Sequence, residues 1–145
     1  VDTIPYWQDS LVRMTTSFHD ELHLDCTPDN YLRIVDNQSE LFGIIVGVSA
    51  RVGGADSSAV TKAEQFGKAY FKFEQLARDC IQYHETQDGD PWNAWAVMKH
   101  DRIGTYLCER QAEVMAYVDE LPEQYRRLVM PIVGVEIEEW IAQHR

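Results

Sequence analysis

An all-α fold is what this 145-residue chain predicts. Three observations carry that expectation. Apolar residues recur at three- and four-residue spacings through long windows, the period of a helix face. No window shows the apolar–polar alternation of a half-buried strand. Helix-start and helix-stop residues punctuate the periodic stretches at regular intervals. At this length the chain, residues 1–145, is expected to be a single helical domain able to bury a sizeable core. Its hydrophobic share of 45%, with eight glycines and five prolines, places it among globular chains.

About five helices are expected. The first runs from Trp7 to Leu24, with Leu11, Val12, Met14, Phe18 and Leu22 at helical spacing and Pro5 where a helix can start. Cys26-Thr27-Pro28-Asp29 interrupts it, and Thr27 followed by Pro28 reads as an N-cap and first turn. The second covers Asp29 to Val52, with Tyr31, Leu32, Ile34, Val35, Leu41 and Phe42 as its apolar set. Gly43 and Gly47 sit four apart within it. A helical glycine costs about 1 kcal/mol against alanine, so another helix is expected to approach closely on that face. Gly53-Gly54 ends this helix.

Ser57 or Ser58 is expected to cap the third helix, Ala59 to Glu85. Thr86 to Pro91 is turn-rich, and Asp90 before Pro91 is expected to cap a fourth helix from Trp92 to Asp119. Its Trp92, Trp95, Met98 and Tyr106 lie at helical spacing, as a core or interface stripe. Leu121-Pro122-Glu123 interrupts again, and a fifth helix from Glu123 to Gln143 is expected to kink at Pro131.

Charge narrows the function classes. The net charge is −11, from 24 acidic against 13 basic residues. Such a surface repels phosphate backbones and anionic lipid, so nucleic acid and peripheral membrane binding are not expected. A local basic pocket for a diphosphate remains compatible with the total. The longest apolar run, Leu41 to Val48, is too short to span a bilayer, and no basic n-region precedes a signal-like apolar stretch. Cys26, Cys80 and Cys108 are odd in number and widely spaced, which points to a reducing, cytoplasmic compartment rather than a disulfide framework or zinc site. The first residue is Val1 rather than Met, consistent with a piece of something longer or a trimmed chain.

The candidate site residues lie on two helices. Gln75, Arg78 and Asp79 stand at i, i+3 and i+4, so their side chains share one helix face. They form either a polar cluster for a metal-bound diphosphate or a solvated face with a local Arg–Asp contact. Gln38 and Ser39 precede Leu41-Phe42 and read either as two donors to phosphate oxygens or as an exposed polar turn. His19 and His23 form an i, i+4 pair, but Asp20 stands where a zincin has glutamate and no third ligand is evident. A hydrated helix face is the expectation there. Glu136, Glu138 and Glu139 read as a solvated helix end.

The order of these features resembles the second half of the trans-isoprenyl diphosphate synthases, the polyprenyl synthetase family. Tyr31 begins a helix, Gln38-Ser39 stand at the place of a Lys-Thr pair, and Leu41-Phe42 follow. Gly53-Gly54-Ala55 make the break, then come Phe66-Gly67 and Glu74-Gln75. Arg78-Asp79 stand at the place of an Asp-Asp-x-x-Asp motif, and Leu121-Pro122 with Arg126-Arg127 close the order. The resemblance covers residues 21 to 143 and rests on order and spacing more than identity. It implies a helical bundle of the isoprenoid-synthase type, roughly half of the usual fold.

It also implies prenyl transfer in isoprenoid biosynthesis, with Asp79 as a metal ligand and Gln38, Ser39, Gln75 and Arg78 contacting a prenyl diphosphate. Mg²⁺ is implied if the protein is active. Against the family pattern, the second aspartate-rich motif reads Arg78-Asp79-Cys80-Ile81-Gln82, and Gln38 replaces the lysine. The first such motif belongs to the half of the fold that this chain does not contain. The Gln75, Arg78-Asp79 series is also similar to the squalene/phytoene synthase branch, where Tyr83 stands in place of a second aspartate. No catalytic residue is assigned, and this chain alone is not expected to turn over substrate. Two other readings stand beside this one. The chain could be a non-catalytic helical subunit that forms a homodimer or heterodimer through its helices, or an unrelated helical bundle.

Overall fold

The computed structural model describes residues 4–86, 90–98, 100–121 and 123–143. These residues form seven α-helices and no strand, so the protein is all-α as expected. They are α1 (Ile4–His23), α2 (Pro28–Val52), α3 (Ser57–Thr86), α4 (Ala94–Val97), α5 (His100–Val118), α6 (Glu123–Val133) and α7 (Ile137–Gln143). The chain divides into two compact units, Val1–Lys72 and Phe73–Arg145, with α3 contributing to both. No helix among the described residues is long and apolar enough to cross a membrane.

In the first unit α2 begins as the sequence predicts. Thr27 is extended (φ −120°, ψ 157°), its hydroxyl accepts from the Asn30 amide at 3.3 Å, and Pro28 is the first helical residue. The helix ends in a Schellman arrangement. The Ala55 amide reaches the Ala50 carbonyl and the Gly54 amide that of Arg51, each at 3.0 Å. Gly54 takes the left-handed φ of +88° this closure needs. The cap of α3 is Asp56 rather than either serine: its Oδ1 accepts from the Ala59 amide at 2.9 Å. A carboxylate one residue earlier takes the amide that a serine hydroxyl was expected to take.

Helices α2 and α3 cross closely. A Cβ on Gly47 would overlap Glu64 Cγ, and one on Gly43 would stand 2.7 Å from Lys68 Cγ. From the other side, a Cβ on Gly67 would stand 2.9 Å from the Phe42 carbonyl oxygen. The close approach expected at Gly43 and Gly47 is therefore present, with Gly67 as its counterpart. Lys68 and Lys72 then tie α3 to Glu40 and Asp36 of α2, both at 2.7 Å.

The α1–α2 contact reverses a simple expectation about polarity. Among the described side chains of α1, Ser10 and Ser17 are the buried ones, while Leu11, Val12, Phe18 and Leu22 are exposed. Small residues let the two backbones approach, and polar links fix the pairing. Arg33 meets Asp20 at 3.2 Å, and Gln38 donates to Glu21 at 2.8 Å. The helical apolar periodicity of α1 is real, but it faces outward.

The second unit is built around α5, whose Ile103, Leu107, Val114 and Val118 are all fully buried. Trp95 and Met98 are buried with them, while Trp92 and Tyr106 are only partly so. The single fourth helix expected over Trp92–Asp119 is instead two, α4 and α5. Met98 between them is extended (φ −98°, ψ 143°). Asp90 makes a turn, its Oδ1 accepting from the Trp92 amide at 2.9 Å, and Asn93 is the cap of α4. Residues 87–89 of the expected turn-rich loop and Pro122 lie outside the described residues.

The fifth helix is likewise divided, and not at Pro131. Helix α6 runs through Pro131 to Val133, and the break falls at Gly134–Glu136. Gln111 on α5 fills this break. Its side-chain amide donates to the carbonyls of Val133 and Val135 at 2.7 and 2.6 Å, giving partners to carbonyls that have left the helical ladder. Gly134, a weak helix former, sits between them.

Candidate functional site

The five sequence-predicted residues fall into two groups, one in each unit. Gln38 and Ser39 lie on α2 in the first. The Gln38 side chain is occupied by Glu21. Ser39 is buried, its hydroxyl donating to the Asp36 carbonyl at 2.7 Å. An exposed polar turn describes neither residue well: Gln38 is half-buried and Ser39 faces the helix packing.

Gln75, Arg78 and Asp79 lie on α3 in the second unit. Gln75 Nε2 donates to Asp79 Oδ1 at 2.8 Å, so the structure brings these two together. Arg78 is bonded to Glu74. Its Nε donates to Glu74 Oε1 at 3.0 Å, and its Nη2 pairs closely with Glu74 Oε2. The pair is an i, i+4 fork on one helix face.

Asp79 is 4% exposed and holds α4 in place. Its Oδ2 accepts from the Ala94 amide at 2.9 Å, the first turn of α4. Its backbone carbonyl accepts from Asn93 Nδ2 at 2.7 Å, and Asn93 Oδ1 in turn accepts from the Trp95 amide at 2.9 Å. A carboxylate facing orphan amides at a helix start is electrostatically favourable. Asn93 and Glu74 are the residues that sequence reasoning missed. Asn93 before the apolar Ala94-Trp95-Ala96-Val97 is a recognisable cap signal, and Glu74 four residues before Arg78 is a recognisable pairing signal.

Cys80 lies beside this network. Burial pushes its thiol up to about 12, and the neighbouring Asp79 carboxylate adds to the rise, while the Trp95 indole works against it. A thiol in that setting is an inert packing group at neutral pH. All three cysteines are free, and only Cys108 is exposed.

Mg²⁺ takes a near-octahedral shell of oxygens, drawn from one or two carboxylates with substrate phosphates and water. Here Asp79 supplies one carboxylate, both of whose oxygens already accept hydrogen bonds. Among the described residues no three His, Cys, Asp or Glu side chains converge as a metal group. By itself the Asp79 cluster does not make up that shell. The imidazoles of His19 and His23 stack with centroids 4.2 Å apart, and His23 Nδ1 lies 2.8 Å from the His19 carbonyl.

A cavity of about 320 Å³ opens in the second unit next to Arg78. Phe73, Ala77, Ile81, Leu107, Ile132 and Trp140 supply apolar wall, and the Glu74–Arg78 pair supplies charge. The break between α6 and α7 shapes one side, since Val135 and Ile137 also line it. An apolar hollow with a single charged pair can bury a hydrocarbon body and orient a polar head.

Compared with protein-family models, with curated proteins and with solved structures, the chain matches none.

Proposed function

We propose that this chain is an isoprenyl diphosphate synthase-like protein that binds a prenyl diphosphate without turning it over by itself. The observation that carries the reading is the apolar cavity with Arg78 on its lining. The prenyl chain occupies the hydrocarbon wall, and Arg78 exchanges Glu74 for the diphosphate. Arginine suits that role because its planar fork matches phosphate oxygens. Gln75 and Asp79 support the site from behind by holding α3 against α4. In this reading Arg78 does part of what metal ions do in active relatives of the implied family, beside a single carboxylate at Asp79.

Calorimetry with a non-hydrolysable prenyl diphosphate analogue tests it, with and without Mg²⁺. Binding is expected in both conditions. Arg78→Ala should weaken it at least about tenfold, the scale of a charge-assisted bond. Glu74→Gln should strengthen it by removing the competitor. Binding that needs Mg²⁺ and is lost in Asp79→Asn would move the diphosphate to a metal on Asp79. No binding at millimolar analogue would sink the reading. A turnover assay with allylic diphosphate, isopentenyl diphosphate and Mg²⁺ should yield no product from this chain alone.

The outward apolar face of α1 favours a second reading, a non-catalytic helical subunit that associates through its helices. Leu11, Val12, Phe18 and Leu22 are all exposed on one helix, and exposed apolar patches of that kind mark association surfaces.

A further inference from the structure

We propose that the cavity beside Arg78 takes a second class of ligand, a long-chain carboxylate of the fatty-acid type, with its head on the arginine fork. The proposal rests on the cavity and the Arg78 exchange of the prenyl diphosphate reading, and it assigns them a ligand of single charge.

The lining is graded from charged and exposed to apolar and buried. The Arg78 and Glu74 side chains are 45% and 30% exposed, so the ion pair sits where the cavity meets water. Phe73, Leu107 and Ile137 are buried and form its depth. Ala77, Ile81 and Trp140, half-buried, complete the apolar wall. That gradient suits a molecule with an apolar tail and a polar head. A methylene takes roughly 25–30 Å³ at interior packing density, so about 320 Å³ holds a tail of about a dozen carbons.

The fork selects the head group. Glu74 meets Arg78 at two points, through Nε and Nη2, so the planar guanidinium already carries a carboxylate. A ligand carboxylate replaces Glu74 like for like, and the displaced Glu74 side chain regains water at the exposed edge. An ammonium head would have Glu74 as its partner instead. It is a compact, strongly hydrated point charge and gives up the planar two-point match that the guanidinium makes.

Charge favours a single negative charge over several. Among the described residues that line the cavity, Arg78 is the one Lys or Arg. Glu136, Glu138 and Glu139 are exposed and interleave in sequence with the lining residues Val135, Ile137 and Trp140, so that stretch of the wall is set in acidic chain. The whole chain carries −11. A diphosphate brings several negative charges into this field and meets one arginine. A carboxylate brings one charge, which that arginine matches. At equal tail length the carboxylate is the better-matched head.

Calorimetry of the whole chain with octanoate, decanoate and dodecanoate, each below its micelle concentration, tests this. One site is expected, tightening by about fourfold per added methylene. Decanol should bind at least about tenfold more weakly than decanoate, and Arg78→Gln should weaken decanoate by a similar factor. Arg78→Lys keeps the charge without the fork and should fall between. Ala77→Leu intrudes on the apolar wall and should weaken dodecanoate more than octanoate. Circular dichroism verifies that each variant keeps its helix content. Decanol binding as well as decanoate, or decanoate binding Arg78→Gln unchanged, would remove Arg78 as the reader of the head and overturn the proposal. Tighter binding of decylamine than of decanoate would also overturn it, by giving the head to Glu74. Affinity indifferent to tail length and to Ala77→Leu would deny the cavity as the tail site. The non-hydrolysable prenyl diphosphate analogue runs in parallel. Binding of the analogue without decanoate would overturn this proposal and leave the prenyl diphosphate reading standing. Binding of decanoate without the analogue would do the reverse, and binding of neither would end both.

Discussion

Asp79 shows how one side chain can satisfy a sequence pattern and serve a different end. Its carboxylate is buried between Gln75 and the Ala94 amide, so its loss strands both donors. Asp79→Ala should cost about 2–4 kcal/mol in urea unfolding, the range for breaking a buried hydrogen-bonded charge. A residue kept only to hold a metal would cost little in metal-free buffer. Cys80 next to it gives a pH signature. The unfolded thiol ionises near 9.0 and the folded one near 12. The folded state therefore holds its proton longer, so stability from this group is complete below pH 9 and declines as pH rises from about 9 toward 12. Cys80→Ala should flatten that decline in a denaturation series, and Cys108 should react with a thiol reagent well before Cys80. The sequence made Asp79 visible as a polar residue on a helix face. It could not reveal that the partner would be the start of another helix 15 residues on, because that contact exists only after α3 and α4 pack.

Among the elements, the α2–α3 crossing was the most legible in advance and the divided helices the least. Two glycines four apart signalled close approach, since a helix tolerates their cost only for a return in packing. Gly67→Ala should destabilise by about 1–3 kcal/mol despite the better helix propensity of alanine, because the new methyl meets the Phe42 carbonyl and Val46. Chemical denaturation measures this, and a gain in stability would deny the crossing. The break after Val133 had no local warning stronger than Gly134. The partner that satisfies it is Gln111, 22 residues away from Val133 in sequence. Gln111→Leu should release both carbonyls and cost about 1–3 kcal/mol for groups left without a donor. Hydrogen exchange in α7 should rise with it. Pro131 does not end the helix: a proline removes one amide, and α6 continues for two further residues after it.

For the molecule as a whole, charge sets the conditions under which it works. With a net charge of −11, self-repulsion opposes compaction and association alike. Raising salt from tens to hundreds of millimolar should raise the melting temperature and tighten any self-association, as screening shortens the reach of like charges. A melting temperature that falls with salt would mean that the inter-helix ion pairs Glu40–Lys68 and Asp36–Lys72 outweigh the net charge.

Period, caps and composition were enough to determine an all-α chain, the ends of α2 and the close face at Gly43 and Gly47, because those depend on neighbours within a few residues. Tertiary structure alone decided which apolar stripe faces inward, what Asp79 and Arg78 bond to, and where α5 parts from α4 and α7 from α6. In α1 the periodic leucines and Phe18 lie outside while two serines are buried. Helical spacing identifies a face but not its partner, and the partner is fixed by packing between residues far apart in the chain.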